Sequence, residues 1–480
     1  MVEEQGGNVA DVAPAVFIHQ KLGRYHHQVT LLAGQSAQQF EGNYLGANHL
    51  AYSRNDLQII ARGPTAGQTN FGGNSQSRLL SYFSRVNYEF AGKYLFSATA
   101  RFDGTSAFSR ENNIGFFPGV SAGWRISEEG FLKDVSSVSN LKLRVGYGRV
   151  GNPINAGTFQ YLATVNSSTS TQYVFGTGTQ NIATGAAPTR LPNPDLQWEN
   201  NEQTNVGIDL GLFQNRVAAT LDLYTRSSPD LIAPVPALYV GGTGDAVNTN
   251  AAASRNRGLD LSITTNNFVS EGSGFTWSTT FNFTTYRNKL TSLGTGRPYF
   301  GQTTRGGSSL VRYAAGVPFG SFYGYVADGL IQTKGELDAL NAGASSGVYQ
   351  TSGTAPGDIK FRDLNGDGAI TSADQTYIGN PNPDFTYGLN NTFSFKGFDL
   401  NVFLQGSQGN DVYNLNRYYT EGGLYTSANA STLALERWTG PGTSNYIPRA
   451  VANGPNQNLR ISSHYVEDGS YMRVKLITLG

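Results

Sequence analysis

The sequence lacks cysteine, long apolar segments and the usual share of charged residues. Without cysteine, the chain has neither a disulfide framework nor a thiolate metal site. No apolar run reaches the ~18 residues that suggest a membrane-spanning helix. Charged residues are 14% of the 480 residues, well below the roughly 25% of an average soluble domain. The 34 basic and 34 acidic residues cancel, which argues against nucleic acid as the main partner because phosphate binding needs a basic excess.

Glycine, aromatic residues and uncharged polar residues take the place of the missing charges. The chain has 59 Gly, 26 Tyr and 27 Phe, while hydrophobic residues reach only 39%. Disordered chains carry charge and lack aromatic residues, so this composition is not typical of disorder. It fits strands that face apolar surroundings on one side and water on the other.

Apolar and polar residues alternate along much of the chain. In one segment Tyr94, Phe96 and Phe102 alternate with Ser97 and Arg101. The same period of two recurs at residues 141–147, 217–223, 275–283, 398–405 and 472–476. This pattern predicts antiparallel strands. With the ~9–11 residues that a tilted membrane strand needs, the chain holds roughly 13 of them, and no long amphipathic helix is predicted.

The predicted connections between strands fall into two length classes. Short ones are predicted at Ala91–Gly92, Gln214–Asn215, Val269–Gly274 and Lys396–Gly397. Long ones are predicted at Arg149–Glu202, Ser228–Arg255, Arg287–Asp384 and Ser407–Tyr465. Because the two classes alternate along the chain, all the long loops fall at one end of the strands. Outer-membrane barrels have this arrangement, with short periplasmic turns and long extracellular loops.

A soluble all-β protein, such as a propeller or a stack of sandwiches, is the alternative fold class. It also combines alternating strands with Gly-rich turns. Aromatic residues near predicted strand ends favour the membrane barrel, because they resemble interfacial girdles. They are Tyr82, Phe83, Tyr88, Phe90 and Tyr94. A soluble sandwich also has no reason to alternate its loop lengths, so the sequence predicts an all-β, antiparallel transmembrane β-barrel.

Nine blocks of sequence carry a likeness to one known family. They are Arg85–Leu95, Arg101–Phe108, Gly115–Glu129, Leu141–Asn152, Asn193–Glu199, Gly320–Tyr325, Pro356–Phe361, Ile378–Pro383 and Asp468–Arg473. In this order they resemble blocks of the SusC/RagA family of TonB-dependent outer-membrane transporters. The likeness runs from His26 to Gly480, and it is the set of blocks, rather than any single one, that is specific.

The resemblance implies a barrel of ~22 strands filled by an N-terminal plug. Residues 1–480 would then be the barrel domain, truncated at both ends, with the plug, the TonB-contacting segment and the signal peptide absent upstream. At the other end, the sequence stops at Leu479–Gly480 inside a predicted strand. We expect such a piece, taken alone, to leave two unpaired sheet edges and an unclosed barrel.

The resemblance also implies a function in the bacterial outer membrane. Such receptors import oligosaccharides or peptides, with a SusD-like surface lipoprotein as lid, outer-membrane lipid around the barrel and the TonB complex as the source of energy. No covalent bond is made or broken in this transport, so the resemblance implies no enzyme activity. The alternative is a secreted or surface β-protein that binds glycans without transport.

The segment at residues 356–383, in a predicted extracellular loop, contains the sharpest local motif. Asp363, Asn365, Asp367, Ala369 and Asp374 match the spacing of a calcium-binding loop, with Ala369 offering its carbonyl oxygen. An Asp stands at the last position, where the template has Glu. The alternative is an Asx-rich turn without metal, because Asp, Asn and Gly also build ordinary turns. We expect a structural Ca²⁺ ion that pins a long loop.

Aromatic residues in or beside the long loops are candidate substrate platforms, because sugars stack on such rings. They are Phe322, Tyr323, Tyr325, Tyr418, Tyr419 and Tyr425. The alternative is packing of these rings inside the loops, since large aromatic side chains are usually buried.

Two enzyme-like motifs match by their letters only. Gly119–Gly123 fits the nucleophile elbow, which must turn from strand into helix, but the predicted strand continues through Ile126. Gly146–Gly151 fits the dinucleotide fingerprint, which needs a following helix, but Asn152–Pro153 comes next. No Ser/His/Asp set or pair of carboxylates rises above chance, so the sequence predicts no catalytic site.

Overall fold

The chain divides into two compact units. Unit 1 comprises residues 1–215 and 222–255, and unit 2 comprises residues 216–221 and 256–480. The computed structural model describes residues 2–12, 15–22, 26–49, 56, 59, 67–157, 159–167, 172–175, 181–235, 246–270, 274–294, 296–301, 309–422, 424 and 429–480.

Unit 1 consists mainly of antiparallel strands. They are β1 (Val2–Val12), β2 (Ala15–Leu22), β3 (His27–His49), β4 (Gln68–Phe90), β5 (Tyr94–Thr105), β6 (Ile114–Arg125), β7 (Val138–Asn152), β8 (Thr164–Asn166), β9 (Gln172–Phe175), β10 (Asn181–Thr184), β11 (Ala187–Arg190), β12 (Glu199–Leu212), most of β13 (Val217–Val235) and the first part of β14 (Val247–Phe268). The long antiparallel strands pair into one large sheet, the wall. In unit 1 the wall has the strand order β1-β3-β4-β5-β6-β7-β12-β13-β14. The short strands β8 to β11 form two separate pairs in the β7–β12 connection.

The strands of unit 1 are longer than a membrane crossing requires. Strands β3 and β4 pair over 23 residues, from His27↔Phe90 to His49↔Gln68. Strands β1 and β2 both pair with β3, so they behave as one interrupted strand. A tilted strand needs ~9–11 residues to cross a bilayer, so strands of this length would extend beyond one. The connection predicted at Ser228–Arg255 is therefore shorter than expected, because β13 continues to Val235 and β14 starts at Val247.

Unit 2 combines wall strands with two structured long loops. Its elements are the rest of β13 and β14, β15 (Thr276–Leu293), β16 (Tyr299–Phe300), β17 (Arg312–Tyr313), β18 (Phe322–Tyr325), β19 (Ala327–Leu330), α1 (Lys334–Gly343), β20 (Ile359–Phe361), β21 (Gln375–Gly379), β22 (Phe385–Phe395), β23 (Phe398–Gln408), β24 (Asp411–Tyr413), α2 (Leu415–Gly422), β25 (Val466–Asp468) and β26 (Tyr471–Leu479). The wall order is β13-β14-β15-β22-β23-β26. Counting β1 and β2 as one strand, the wall strands agree with the number predicted from the sequence.

The hairpin turns predicted from the sequence are confirmed at Ala91–Gly92, Gln214–Asn215 and Lys396–Gly397. All six residues have positive φ, the conformation that two-residue hairpin loops favour. The connection between β6 and β7 is longer than these turns, although it lies at the same end of the strands. It covers residues 126–137 and contains the 3₁₀ turn Ile126–Glu128.

Two short helices in unit 2 were not predicted from the sequence. Helix α1 begins after Thr333, whose side chain accepts a hydrogen bond from the Glu336 amide at 3.1 Å. Helix α2 follows β24 directly. Helices of 10 and 8 residues show too few turns for a clear period of 3.6. Within the described ranges, no helix is long and apolar enough to cross a membrane.

The buried hydrophobic clusters lie mainly in loops and at strand ends. Among the residues that the structure describes, unit 1 has one such cluster, formed by Phe108, Phe117, Ala156, Leu196 and Trp198. The described part of unit 2 has two clusters in its long loops. The first comprises Leu310, Val311, Phe322, Tyr413, Tyr418, Ile461 and Tyr465, and the second comprises Leu330, Tyr349, Ile359, Phe361 and Ile370. The long loops of unit 2 are therefore folded structures with cores of their own.

Candidate functional site

One face of the unit 1 wall exposes a continuous set of apolar side chains. Phe96, Phe102, Phe116 and Val145 are each between 45% and 48% exposed. The rings of Phe102 and Phe116, on neighbouring strands, stack with centroids 4.7 Å apart. An ordered apolar face of this extent marks a surface that water does not cover. In an antiparallel wall with alternating side chains, it is the lipid-facing side.

The opposite face of unit 1 is polar and carries ion pairs. Arg144 on β7 forms two hydrogen bonds with Asp209 on β12, both 2.9 Å, and one with Asp222 on β13, 3.0 Å. The ammonium of Lys142 lies 3.8 Å from Asp209. Gly207 lies beneath this cluster, where a Cβ atom would collide with the Asp222 carboxylate and the Arg144 guanidinium. Any larger residue at this position would therefore displace the ion pairs that join the three strands.

Small side chains line recesses on the same polar face. A recess of about 450 Å³ is bordered by Ser97, Ser121, Gly123, Gly146 and Asn205. These residues occupy the alternate positions of β5, β6, β7 and β12, which the period of two assigned to the polar side. Hydroxyl and amide groups beside exposed backbone can bind polar groups, but nothing here forms a nucleophile and base pair.

The first loop cluster of unit 2 is built from aromatic rings. Tyr465 is fully buried, with the ring of Tyr418 at 5.3 Å and that of Tyr413 at 6.0 Å. Phe322 packs edge-on against Tyr413 at 5.8 Å. Phe322 and Tyr418, which the sequence suggested as substrate platforms, are only 9% and 7% exposed. The structure therefore places both rings in the interior of the loops.

A buried ionic cluster borders these rings. The guanidinium of Arg417 contacts Glu421 at 2.8 Å and Glu467 at 3.0 Å. The Nε2 atom of His464 lies 2.7 Å from the other carboxylate oxygen of Glu421. Burial alone would raise the pKa of Glu421, but the hydrogen bond with His464 and the charge of Arg417 lower it. Hydrogen bonds from Arg417 and Asn414 likewise lower the pKa of Glu467.

The second loop cluster is joined to a network of buried polar side chains. Asp358 is fully buried and forms a two-fold ion pair with Arg449, at 2.8 and 3.0 Å. Asn458 donates to the same carboxylate at 3.1 Å and accepts from the Ile359 amide at 3.0 Å. The pair joins residues that lie 91 positions apart. It holds the two long loops of unit 2 together.

The five residues of the predicted calcium motif lie in one compact loop. Asp363 accepts hydrogen bonds from the amides of Gly366 and Gly368, both at 2.7 Å. The amide of Asp367 donates to the Asn365 side chain at 3.0 Å, and the amide of Ala369 donates to the Asp367 carboxylate at 2.9 Å. No group of three or more His, Asp or Glu side chains suited to a metal occurs in the described part of the chain. The calcium assignment stays a prediction.

Asp374, the last residue of the motif, is fully buried. Its carboxylate caps the 3₁₀ turn Ser372–Asp374 and accepts from the amides of Thr371 and Leu364 at 2.7 and 2.9 Å. Burial alone would raise the pKa of Asp374, but these N–H donors hold it below its ordinary value. The carboxylate is therefore charged and joins the two ends of the loop.

The other predicted platform residues differ in exposure. Tyr323 is 8% exposed, Tyr325 is half-buried and Tyr419 is 38% exposed. Tyr323 packs edge-on against Tyr377 at 5.2 Å, and Tyr419 packs edge-on against Tyr418 at 5.2 Å. Tyr425 lies outside the described residues. Substrate contact by these rings stays a prediction.

Two loop arginines that the sequence did not single out adjoin these tyrosines. Arg312 lies over the ring of Tyr323 at 4.4 Å, and Arg460 lies over that of Tyr325 at 5.1 Å. Arg312 and Tyr323 lie 11 positions apart in one connection, whereas Arg460 and Tyr325 lie in separate loops. Neither spacing matches a local period, so these pairs become candidates only when the fold is known.

Comparison with known proteins decides the family. The family described as "TonB dependent receptor-like, beta-barrel" matches residues 7–329, which are more than half of the chain. The chain belongs to this family of TonB-dependent receptor barrels. The SusC/RagA resemblance, the antiparallel barrel fold class and the location in the bacterial outer membrane are thereby confirmed.

Named relatives of this TonB-dependent receptor barrel agree with that assignment. TonB-dependent receptor P3 of Formosa agariphila is 34% identical over 462 residues, which cover 95% of this chain and 43% of that protein. TonB-dependent receptor SusC of Bacteroides thetaiotaomicron is 32% identical over 416 residues, which cover 85% and 38%. The chain thus spans less than half the length of these relatives. The relatives are named as receptors rather than enzymes.

A solved structure supports the fold independently. The RagAB peptide transporter superposes with a TM-score of 0.77 at 24% sequence identity, covering 99% of this chain and 50% of that one. At this identity the likeness shows the fold alone.

Proposed function

We propose that this chain forms the barrel wall and surface loops of a TonB-dependent receptor that imports nutrients, either oligosaccharides or peptides. The observation that carries the proposal is the two-faced wall of unit 1. Its apolar side suits lipid, and its polar side, with Arg144, Asp209 and Asp222, suits the lumen of a transport barrel. A secreted glycan-binding protein would have no use for the exposed apolar face.

The proposal includes two protein partners. A SusD-like surface lipoprotein would act as the lid over the extracellular loops, and the TonB complex would supply energy through segments outside this chain. The folded loops of unit 2 support the first partner, because two buried clusters give them the rigidity that a docking surface needs. The family supports the second.

A structural Ca²⁺ ion in the 363–374 loop belongs to the same proposal. Asp363, Asn365 and Asp367 supply side-chain oxygens at the spacing of calcium loops, and Ala369 adds a carbonyl. Gly368 adopts a φ of 81°, which suits the sharp turn at this position. Weak affinity would suffice at the cell surface, where calcium is plentiful.

Uptake by cells tests the proposal directly. Cells that carry the gene should take up a labelled oligosaccharide or peptide, and uptake should stop when the gene, the tonB gene or a neighbouring SusD-like gene is deleted. Detergent extraction provides the control for location. A protein that is released without detergent, or uptake that does not depend on TonB, would contradict the proposal.

A further inference from the structure

Arg312 is a loop cation without a carboxylate partner among the described residues. Its guanidinium carbon lies 4.4 Å from the ring centre of Tyr323 and 5.8 Å from that of Phe300. By contrast, Arg362, Arg417 and Arg449 in the same unit each form an ion pair with an acidic residue. The positive charge of Arg312 is therefore balanced by no acid of the described loops.

The strand pairing places Arg312 and two tyrosines on one face of a small loop sheet. Tyr323 on β18 is paired with Tyr377 on β21, so the two side chains share a face. On the other edge of β18, an antiparallel bridge joins Val311 to Phe322, which puts Arg312 on the face opposite to Phe322. Arg312, Tyr323 and Tyr377 thus lie on one face of the sheet, with Arg312 diagonal to Tyr323.

Part of this row is open to solvent. Phe300 is 49% exposed and Tyr377 is 36% exposed, while Tyr323 lies beneath them at 8%. The rings of Phe300 and Tyr323 meet edge-on at 5.9 Å, and those of Tyr323 and Tyr377 meet edge-on at 5.2 Å. The result is a shelf with a buried ring at its centre, two exposed rings at its sides and a cation above.

A second cation, Arg460 from the other long loop of unit 2, lies beside Tyr325, which stands two positions after Tyr323 on β18. Arg460 stacks over Tyr325 at 5.1 Å and over Phe361 at 5.4 Å, and its Nη1 atom is enclosed without a hydrogen-bond partner. Burial lowers the pKa of Arg460, but a guanidinium remains charged at neutral pH. Arg312 and Arg460 are both half-buried, but the Nη1 atom of Arg460 is enclosed. We therefore assign the ligand contact to Arg312 and a contribution to the positive potential of the shelf to Arg460.

These features together define the chemistry of a ligand. A guanidinium placed over a ring still has N–H groups to offer a carboxylate, which it can bind through two parallel hydrogen bonds. Exposed aromatic rings pack against the apolar face of a pyranose ring. A uronic acid unit offers both groups, a carboxylate and a pyranose face, within one ring. A peptide carboxylate would use the cation alone.

We propose that Arg312, Tyr323, Phe300 and Tyr377 form a subsite for a uronic acid unit of an acidic oligosaccharide. The inference rests on the proposed import function and gives it a substrate class. It predicts that binding weakens as NaCl is raised, because an ion pair at a partly exposed site is screened.

The test uses the receptor in outer-membrane vesicles from cells that express it. Binding is measured with three acidic probes, namely oligogalacturonate, alginate oligosaccharides and glucuronoxylan oligosaccharides, and with maltohexaose and an acidic peptide. We expect at least one acidic oligosaccharide to bind, and Arg312→Gln to weaken that binding by about 10- to 100-fold, as loss of a charge-assisted pair does. Arg312→Lys should recover only part of the affinity, since lysine lacks the planar fork.

Arg362→Gln is the matched control, because Arg362 is an exposed arginine already paired with Asp328. The affinity of the Arg362→Gln variant for the acidic oligosaccharide should stay within about twofold of that of the unchanged protein. Equal protease resistance of the Arg312 and Arg362 variants would show that both fold. Acidic-oligosaccharide binding that is unaffected by Arg312→Gln, or binding of maltohexaose or the peptide alone, overturns the inference and leaves import intact. Failure of cells to take up any oligosaccharide or peptide overturns import and the inference together.

Discussion

The wall of unit 1 and the long loops of unit 2 place their side chains by different rules. In the wall, consecutive residues such as Arg144 and Val145 face opposite sides of the sheet. The side that a residue faces therefore follows from its position along one strand. In the loops, burial depends on partners far away in sequence, as in the pair of Asp358 with Arg449. The difference teaches that the wall tolerates local change, whereas the loops depend on a few long-range contacts.

The largest expected effect is in the loops. Replacing Arg449 by Ala would leave the fully buried carboxylate of Asp358 without its charge partner. Removal of one member of a buried pair costs about 3–5 kcal/mol, so the loops should unfold locally while the wall persists. Limited proteolysis should cleave residues 326–384 and 438–458 rapidly, whereas the fragments of the barrel wall should resist cleavage.

The exposed pair Arg362–Asp328 supplies the control for this experiment. Arg362→Ala should leave the protease resistance of the loops nearly unchanged, because exposed ion pairs contribute little. Equal proteolysis of the two variants would contradict the view that a few buried contacts hold the loops.

The next largest effect is expected in the wall. A lysine in place of Val145 puts a charge on the apolar face, which costs about 2–4 kcal/mol at the centre of the bilayer and less near its surfaces. Ser121→Lys on neighbouring β6 is matched to it, because Ser121 lies on the polar face. The yield of barrel inserted into membranes should fall for the first variant only. A similar yield for both would mean that the exposed apolar face does not meet lipid.

A smaller effect is expected from the calcium loop. With millimolar calcium and a weak site with a Kd of ~10⁻⁴ M, bound ion would stabilise the loop by about 1.4 kcal/mol. Chelation should therefore increase protease cleavage within residues 356–383 of the unchanged protein and leave Asp363→Ala unaffected. Asp338→Asn, an exposed acid on helix α1, should respond to chelation as the unchanged protein does. If chelation changes the cleavage of no variant, the loop is an Asx-rich turn that binds no metal.

The same comparison explains what the sequence could predict. The alternation of apolar and polar residues depends only on neighbours along the chain. The wall strands and the turns at Ala91–Gly92 and Lys396–Gly397 could therefore be located from the sequence. Strand ends could not, because β13 and β14 extend past the membrane as a pair and neither carries an end signal of its own. The calcium motif could be found because its residues are consecutive.

The loop contacts could not be predicted in the same way. The sequence left Tyr418 and Phe322 open between exposed platforms and packed rings, and only the fold shows that they are buried in one cluster with Tyr413 and Tyr465. The arrangement of Arg312 over Tyr323 depends on two bridges of β18 to other segments. No local period records such contacts, because each depends on segments that meet only in the folded chain.

The smallest expected effect concerns a turn of the wall. In the β6–β7 connection Glu129 accepts hydrogen bonds from Lys93 at 3.0 Å, Tyr94 at 2.8 Å and Trp124 at 3.0 Å. These three donors, Lys93 first, lower the pKa of Glu129 from 4.5 to about 2. A carboxyl with a depressed pKa contributes stability above its unfolded pKa, and that stability is lost as pH falls through the folded value. The contribution of Glu129 should thus decline between pH 4.5 and about 2.

Pepsin cleavage between residues 126 and 137, measured as the pH is lowered through this window, reports the opening of the turn. The unchanged protein should become more sensitive only at the acid end. Glu129→Gln should be more sensitive than the unchanged protein at pH 4.5, with little further change on acidification. The adjacent Glu128→Gln is the matched control and should follow the unchanged protein. If Glu129→Gln and Glu128→Gln behave alike, the wall has no pH-dependent contact at this turn, and its stability rests on strand pairing alone.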